Sequence, residues 1–210
     1  IGFNKDIAWS HTVSTALRST FYQLSLNPEN PLQYEYDGSY RDMQPVQVEV
    51  MEKGEDGKLF SAGHTVYFTH FGPVVESDDL PWTNKVAFAV RDANLGNKRS
   101  SVTYDALGKA SSIDEVEAAI SLQGVAWTNT VAADRNGTAF YADISVTPNV
   151  DVELLGRCQL KPEGLPYYVV LLKGDRASCE WREDDRSAIP GALPAQEMPR
   201  LKRDDYVANS

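Results

Sequence analysis

Three histidines, His11, His64 and His70, are the only imidazoles in the 210 residues. His11 follows Ser10, and a serine beside a histidine invites a nucleophile–base reading. Neighbouring residues on a strand project to opposite faces, however, so these two cannot readily share a hydrogen bond. His11 therefore reads as a structural side chain. Complete catalytic signatures are missing: there is no G-x-S-x-G elbow, no H-E-x-x-H, no glycine-rich phosphate loop and no C-x-x-C. Acidic residues number 30, but Glu76-Ser77-Asp78-Asp79 and Glu183-Asp184-Asp185 read as solvated surface. None falls in the regular spacing of oxygen ligands that a calcium loop needs. Asn136-Gly137-Thr138 fits a glycosylation sequon, although turn geometry explains it better. Cys158 and Cys179 lie in a stretch rich in Pro, Gly and charge, where a bridge would pin a loop that buries little. A disulfide would indicate an oxidising compartment; spacing alone leaves a bridge and two reduced thiols equally open.

The elements that would carry these residues read mainly as strands with turn punctuation. Ile7 to Val13 and Phe21 to Leu26 are short apolar runs, the second ended by Asn27-Pro28-Glu29-Asn30-Pro31. Tyr34-Glu35-Tyr36 runs into Asp37-Gly38, a turn signal. Val46-Gln47-Val48-Glu49-Val50 alternates as a half-buried strand should, and Gly54-Glu55-Asp56-Gly57 turns the chain. His64 to Thr69 resumes a strand that Gly72-Pro73 breaks, and Val86 to Val90 is apolar enough for burial on both faces. One helix stands out. Ser112-Ile113-Asp114-Glu115 has the form of a capping box, Ile113, Val116 and Ile120 follow at helical spacing, and Gly124 sits near the expected end. Trp127 to Ala133 and Thr138 to Asp143 then flank Asp134-Arg135-Asn136-Gly137 as a hairpin. From 148 to 203, with prolines at 148, 162, 166, 190, 194 and 199, the text reads as a long wrapping segment with little regular structure. No repeat is apparent, and the whole of 1–210 reads as a single partial domain.

Composition narrows the function. Hydrophobic residues make up 42% of the chain, a globular proportion. A formal charge of -10 opposes binding to nucleic acid or to an anionic membrane surface. No apolar run reaches the roughly 18 residues of a membrane span. The chain opens Ile1-Gly2-Phe3 and stops at Ala208-Asn209-Ser210, which reads as an internal piece of a longer polypeptide. Residue chemistry alone goes no further than a soluble, β-rich domain or domain fragment.

The opening segment carries more. Ile1-Gly2-Phe3-Asn4-Lys5-Asp6-Ile7-Ala8-Trp9-Ser10-His11-Thr12-Val13-Ser14-Thr15 resembles the stretch of penicillin-acylase-family β-chains that holds one oxyanion donor. The similarity is greatest to the acyl-homoserine-lactone acylase and aculeacin-type acylase branch. Arg91-Asp92-Ala93-Asn94 with Asn97 and Arg99, Trp127-Thr128-Asn129-Thr130 with Ala132-Ala133-Asp134, and Ala142-Asp143 with Ser145, Val146 and Pro148 match further family blocks in order. Arg203-Asp204-Asp205-Tyr206-Val207-Ala208-Asn209-Ser210 resembles the approach to a family Asn-Ser-Asn-Asp stretch.

The resemblance implies an α+β fold, a β-rich part of the four-layer αββα sandwich of N-terminal-nucleophile hydrolases. It implies an amide hydrolase whose new N-terminal serine attacks the carbonyl, with its own α-amino group as base. That serine would lie several dozen residues before Ile1. The oxyanion needs preorganised donors. One matches the backbone N–H of Val13; the other, an Asn side chain, would fall one position past Ser210, which makes Asn209 its neighbour. Trp127 matches a position lining the acyl pocket, and Tyr104 matches another aromatic there, with core packing the competing reading for both. Leu17, Ser19 and Thr20 stand where the penicillin-acylase branch carries calcium ligands, so no metal is expected, and no cofactor.

The implied substrates are N-acylated small molecules (acyl-homoserine lactones, lipopeptides or β-lactams) with medium or long acyl chains. Their cleavage would serve quorum quenching or antibiotic metabolism. The implied partners are the rest of its own precursor, the α-chain and remaining β-chain, in a periplasmic or secreted location without membrane insertion. The isolated piece, without nucleophile or second donor, should not turn over. The rival is a non-catalytic extracellular β-rich binding or structural module.

Overall fold

The computed structural model describes residues 1–209; Ser210, the last residue of the matched C-terminal stretch, lies outside the described residues. The elements run β1 (Gly2–Phe3), β2 (Ile7–Val13), β3 (Ser19–Asn27), β4 (Asn30–Tyr36), β5 (Ser39–Asp42), β6 (Gln44–Lys53), β7 (Leu59–Phe68), β8 (Val74–Val75), β9 (Val86–Asp92), α1 (Ser100–Lys109), α2 (Ile113–Ile120), β10 (Thr128–Asp134), β11 (Ala139–Ala142), α3 (Val152–Cys158), β12 (Gln159–Leu160), β13 (Leu171–Lys173) and β14 (Arg200–Arg203). Strand outweighs helix, 39% against 15%, which is the α+β composition expected. Among the described residues no helix is long and apolar enough to cross a membrane.

The chain divides into two compact units. The first comprises Ile1–Arg18, Asp92–Val150 and the described residues from Trp181 on. Its sheet has the order β1-β2-β10-β11-β14, with every pair antiparallel. Ile7, Ala132, Phe140 and Ala142 from this sheet pack with Leu107 of α1 and with Ile113, Val116, Ala119 and Ile120 of α2. The helical stripe read from the sequence is thus the face that seals one side of the sheet. Ser112 caps α2 by accepting the Glu115 N–H. Glu115 reaches back to the Ser111 amide, one residue earlier than a standard capping box would place it.

The second unit comprises Ser19–Arg91 and Asp151–Glu180. Its sheet runs β12-β13-β3-β4-β5, with β9 on β3 and β8 on β9. The Asp37-Gly38 turn joins β4 to β5 with both residues at positive φ, 48° and 74°, the geometry that Asp-Gly favours. Tyr22 is fully buried and stacks on Phe71 at 3.8 Å.

Several elements depart from the sequence reading, each for a local reason. The alternation at Val46–Val50 predicted a half-buried strand, yet all ten residues of β6 are exposed. β6 pairs only with β7 in a two-stranded ribbon, so the apolar side of the alternation meets no layer within the described residues. α1 was not legible: its buried residues are only Thr103 and Leu107, too few for a stripe. The 148–203 segment carries α3, capped by Asp151, together with β12, β13 and β14. In the β10–β11 turn only Gly137 takes positive φ; Asp134 holds the turn by accepting the Asn136 and Thr138 amides.

In the second unit a carboxylate is tightly held. Glu180 accepts from the Tyr36 hydroxyl and faces His70 Nε2 at 3.4 Å and Arg91 Nη1 at 3.2 Å. The bond to His70, with Tyr36 and Arg91 adding to it, pulls the carboxyl down to about 2 from its usual 4.5. A carboxylate depressed in the folded state stabilises the fold above its unfolded value and stops doing so as pH falls through the folded one. Glu180→Gln should therefore cost on the order of 2 kcal/mol near neutral pH, allowing for partial exposure. That cost should fade as pH falls from 4.5 towards 2. Urea unfolding of both proteins across this range checks it; a cost that does not change with pH contradicts it.

Candidate active site

β2 pairs with β10 in a register that puts Val13 opposite Thr128 and Thr12 opposite Asn129. The Ser14 N–H donates to the Trp127 carbonyl at 2.9 Å. In an antiparallel ladder, hydrogen-bonded and non-bonded pairs alternate. The Ser14–Trp127 bond therefore makes Val13–Thr128 a non-bonded pair and turns the Val13 N–H away from β10. On that other side of β2, β1 pairs only with Ala8 and Trp9, so the Val13 amide faces the sheet edge beyond the end of β1. Val13 is itself 73% exposed.

The strand end is pinned on every side of this amide. Before it, the Thr12 hydroxyl donates to Asn209 Oδ1. Asn129, a buried amide near the start of β10, donates to Thr12 Oγ1 and to the Val13 carbonyl, both at 3.2 Å, and accepts from the Tyr141 hydroxyl at 2.8 Å. After it, Ser14 is buried, and its hydroxyl donates to Asp143 at 2.7 Å. Burial, and then the negative charge of Asp143, hold the Tyr141 phenol above its usual value.

Trp127 lies immediately before β10 with φ at +64°, not within the strand as the sequence suggested. A bulky aromatic in the left-handed region carries strain on the order of 1–3 kcal/mol, which the surroundings must impose. They do so from both sides. The Trp127 carbonyl holds Ser14, and the Arg18 guanidinium lies over the indole, 4.9 Å from its centroid. The approach is fixed as well. Gln123 is fully buried and takes φ of +52°, donating to the Ser145 and Leu193 carbonyls. Gly124, read from sequence as the end of α2, serves instead as a close approach: a Cβ there would meet Thr103 Oγ1 at 2.2 Å and the Arg99 carbonyl oxygen at 2.4 Å.

The structure therefore brings Trp127 to the residue next to Val13. Tyr104 stands elsewhere, edge-on to His11 at 5.8 Å and 44% exposed. Ser10 and His11 project to opposite faces of β2, as strand geometry requires; His11 Nδ1 meets Thr130 Oγ1 at 3.2 Å, and burial lowers the imidazole's affinity for a proton. Cys158 and Cys179 are joined by a disulfide in the second unit, across a loop that includes the fully buried Leu171 and Leu172. Leu17 and Ser19, expected near the calcium-ligand positions of the penicillin-acylase branch, are partly buried, and Thr20 is buried. Among the described residues no group of three or more His, Cys, Asp or Glu side chains converges.

The family model described as penicillin amidase matches residues 1–210, the whole chain. The chain belongs to the penicillin amidase family. It is 41% identical over 212 residues to an acyl-homoserine lactone acylase PvdQ of Pseudomonas putida, covering all of this chain and 27% of that protein. It is 36% identical over 216 residues to an aculeacin-A acylase of Actinoplanes utahensis, with the same coverage. A thermostable penicillin G acylase from Alcaligenes faecalis superposes with a TM-score of 0.69 at 20% identity, over 96% of this chain and 32% of that one. That likeness shows the fold, and the α+β expectation holds. The chain spans about a quarter of the length of the curated relatives it matches.

Sequence reasoning did not single out Ser14, Arg18 or Asn129.

Proposed function

We propose that this chain supplies one oxyanion donor and part of the acyl pocket of an acylase that hydrolyses the amide of N-acylated small molecules. The observation that carries the proposal is the Val13 amide, turned out of its ladder at a strand end that neighbouring side chains fix. When a nucleophile adds to an amide carbonyl, negative charge gathers on the oxygen. A backbone N–H already aimed there stabilises it without reorganisation. The attacking group is the N-terminal serine implied by the family resemblance, outside these residues. Asn209, held by Thr12 and Asn129, supports a second donor just beyond the described residues. We assign Trp127 to the acyl-pocket wall, since an aromatic ring buries a large apolar area with few rotamers to lose. Tyr104 is left out of that wall, since its ring stands against His11 instead.

The acyl donors that fit are medium- or long-chain amides, in keeping with relatives named for acyl-homoserine lactone and aculeacin. The Cys158–Cys179 bridge supports an oxidising, periplasmic or secreted setting, and the rest of the precursor completes the site.

The test is a panel of acyl chain lengths, with phenylacetyl amides included, on the full-length enzyme. Fatty acyl groups should be preferred. Trp127→Ala should cut kcat/KM for the long chains by about tenfold or more, the value of one lost aromatic contact, and affect short chains less. A preference for phenylacetyl would contradict the chain-length assignment.

A further inference from the structure

Every polar group of Ser14 is engaged, although the residue is only 1% exposed. Its N–H holds the Trp127 carbonyl at 2.9 Å, and its own carbonyl accepts from Arg18 Nη2 at 3.2 Å. Its hydroxyl accepts the Ala16 amide at 2.9 Å and donates to Asp143 Oδ2 at 2.7 Å. The other oxygen of Asp143 accepts from the buried Ser145 hydroxyl at 2.6 Å, and its backbone N–H bonds the Pro199 carbonyl at 2.9 Å. Asp143 is thus a fixed anion, built into the structure just past the end of β11, with two hydroxyls converging on it.

We propose that Asp143, acting through Ser14, is the positioning residue that sets the direction of the Val13 amide. The inference rests on the reading of Val13 as an oxyanion donor and extends it. An N–H at a strand end, with no ladder partner, is aimed only as well as its flanking residues are held. Thr12 is held by Asn129 and Asn209. Ser14 is held by Asp143, through a hydrogen bond to an ionised acceptor, roughly twice as strong as a neutral one. The same joint carries the Trp127 carbonyl and Arg18, whose guanidinium covers the indole. Tilting Ser14 would therefore move the donor and the pocket wall together. Neither Ser14 nor Asp143 need touch the substrate.

The experiment uses the full-length enzyme and compares Asp143→Ala, Asp143→Asn and Ser14→Ala, each normalised to titrated active sites so that misfolded protein does not count. The probes are steady-state kinetics and the affinity for octylboronic acid, whose tetrahedral adduct with a serine nucleophile puts an anionic oxygen where the oxyanion would form. Asp143→Ala and Ser14→Ala should lower kcat about 10- to 100-fold, as small misplacements of a catalytic group do, with KM little changed. Boronate affinity should fall by a similar factor. Asp143→Asn, which keeps one acceptor oxygen, should lose less. Normal kcat and boronate affinity per titrated site in both alanine variants would overturn the proposal. Replacing the Val13 N–H by an ester oxygen separates the two levels. If the ester lowers both quantities and the Asp143 and Ser14 variants do not, only the positioning role fails. If the ester too has no effect, the oxyanion reading itself fails.

Discussion

Removing the Cys158–Cys179 disulfide should cost about 3 kcal/mol of folding stability, the chain-entropy value for a loop of this size. The bridged residues are 21 apart in sequence and both are 1% exposed. Cys158 ends α3, and Cys179 ends the short 3-10 turn Ala177–Cys179. Between them lie β12 and β13, and Leu171 and Leu172 of β13 are fully buried. β13 is short, and it pairs in parallel with β3, so it depends on its closure to stay docked. Opening the bridge frees a loop that carries core side chains, and the unfolded chain gains most of the released entropy. The double variant Cys158→Ala/Cys179→Ala, unfolded in urea beside the parent protein, reads the loss directly. A difference below about 0.5 kcal/mol would mean that the surrounding packing already holds the loop.

Leu171 and Leu172 also show where sequence reading ran out. The prolines, glycines and charges around Cys158 and Cys179 suggested a surface loop with little to bury, yet the short apolar run Tyr168–Leu172, legible in the sequence, ends in a three-residue core strand. Short local signals did better. β2 falls on Ile7–Val13 as read, the Asp37-Gly38 turn takes the two positive φ values that its residues favour, and Ser112 caps α2. These depend on contacts within a few residues. The exposure of β6 depends on what lies beside it, which no alternation of residues encodes: Val46, Val48 and Val50 share a face, but a face is buried only if a layer covers it. Gly124 was seen and misassigned, because its need for space comes from Arg99 and Thr103, distant in the chain.

The candidate site was the least legible part by residue chemistry, for a physical reason. Its central group is a main-chain N–H, which every residue but proline possesses, so no side chain announces it. Only the resemblance of the Ile1–Thr15 stretch to the family pointed to Val13. The register and the Ser14–Trp127 bond then show why this amide, like that of His11 and unlike that of Thr12, points away from β10. The side chains that fix it, Ser14, Asn129 and Asp143, are ordinary polar residues whose convergence requires the folded sheet.

That convergence makes the second large effect the most direct test. Incorporating α-hydroxyisovaleric acid at position 13 of the full-length enzyme replaces one N–H by oxygen and keeps the isopropyl side chain. The same ester exchange at position 11, whose amide lies on the same side of β2, controls for weakening of the backbone. The account predicts that the ester at 13 lowers kcat about 10²- to 10³-fold, as loss of an oxyanion donor does, with KM little changed and the position-11 ester far milder. An ester at 13 that turns over substrate within about threefold of the parent enzyme, well short of the loss of a donor, would contradict it.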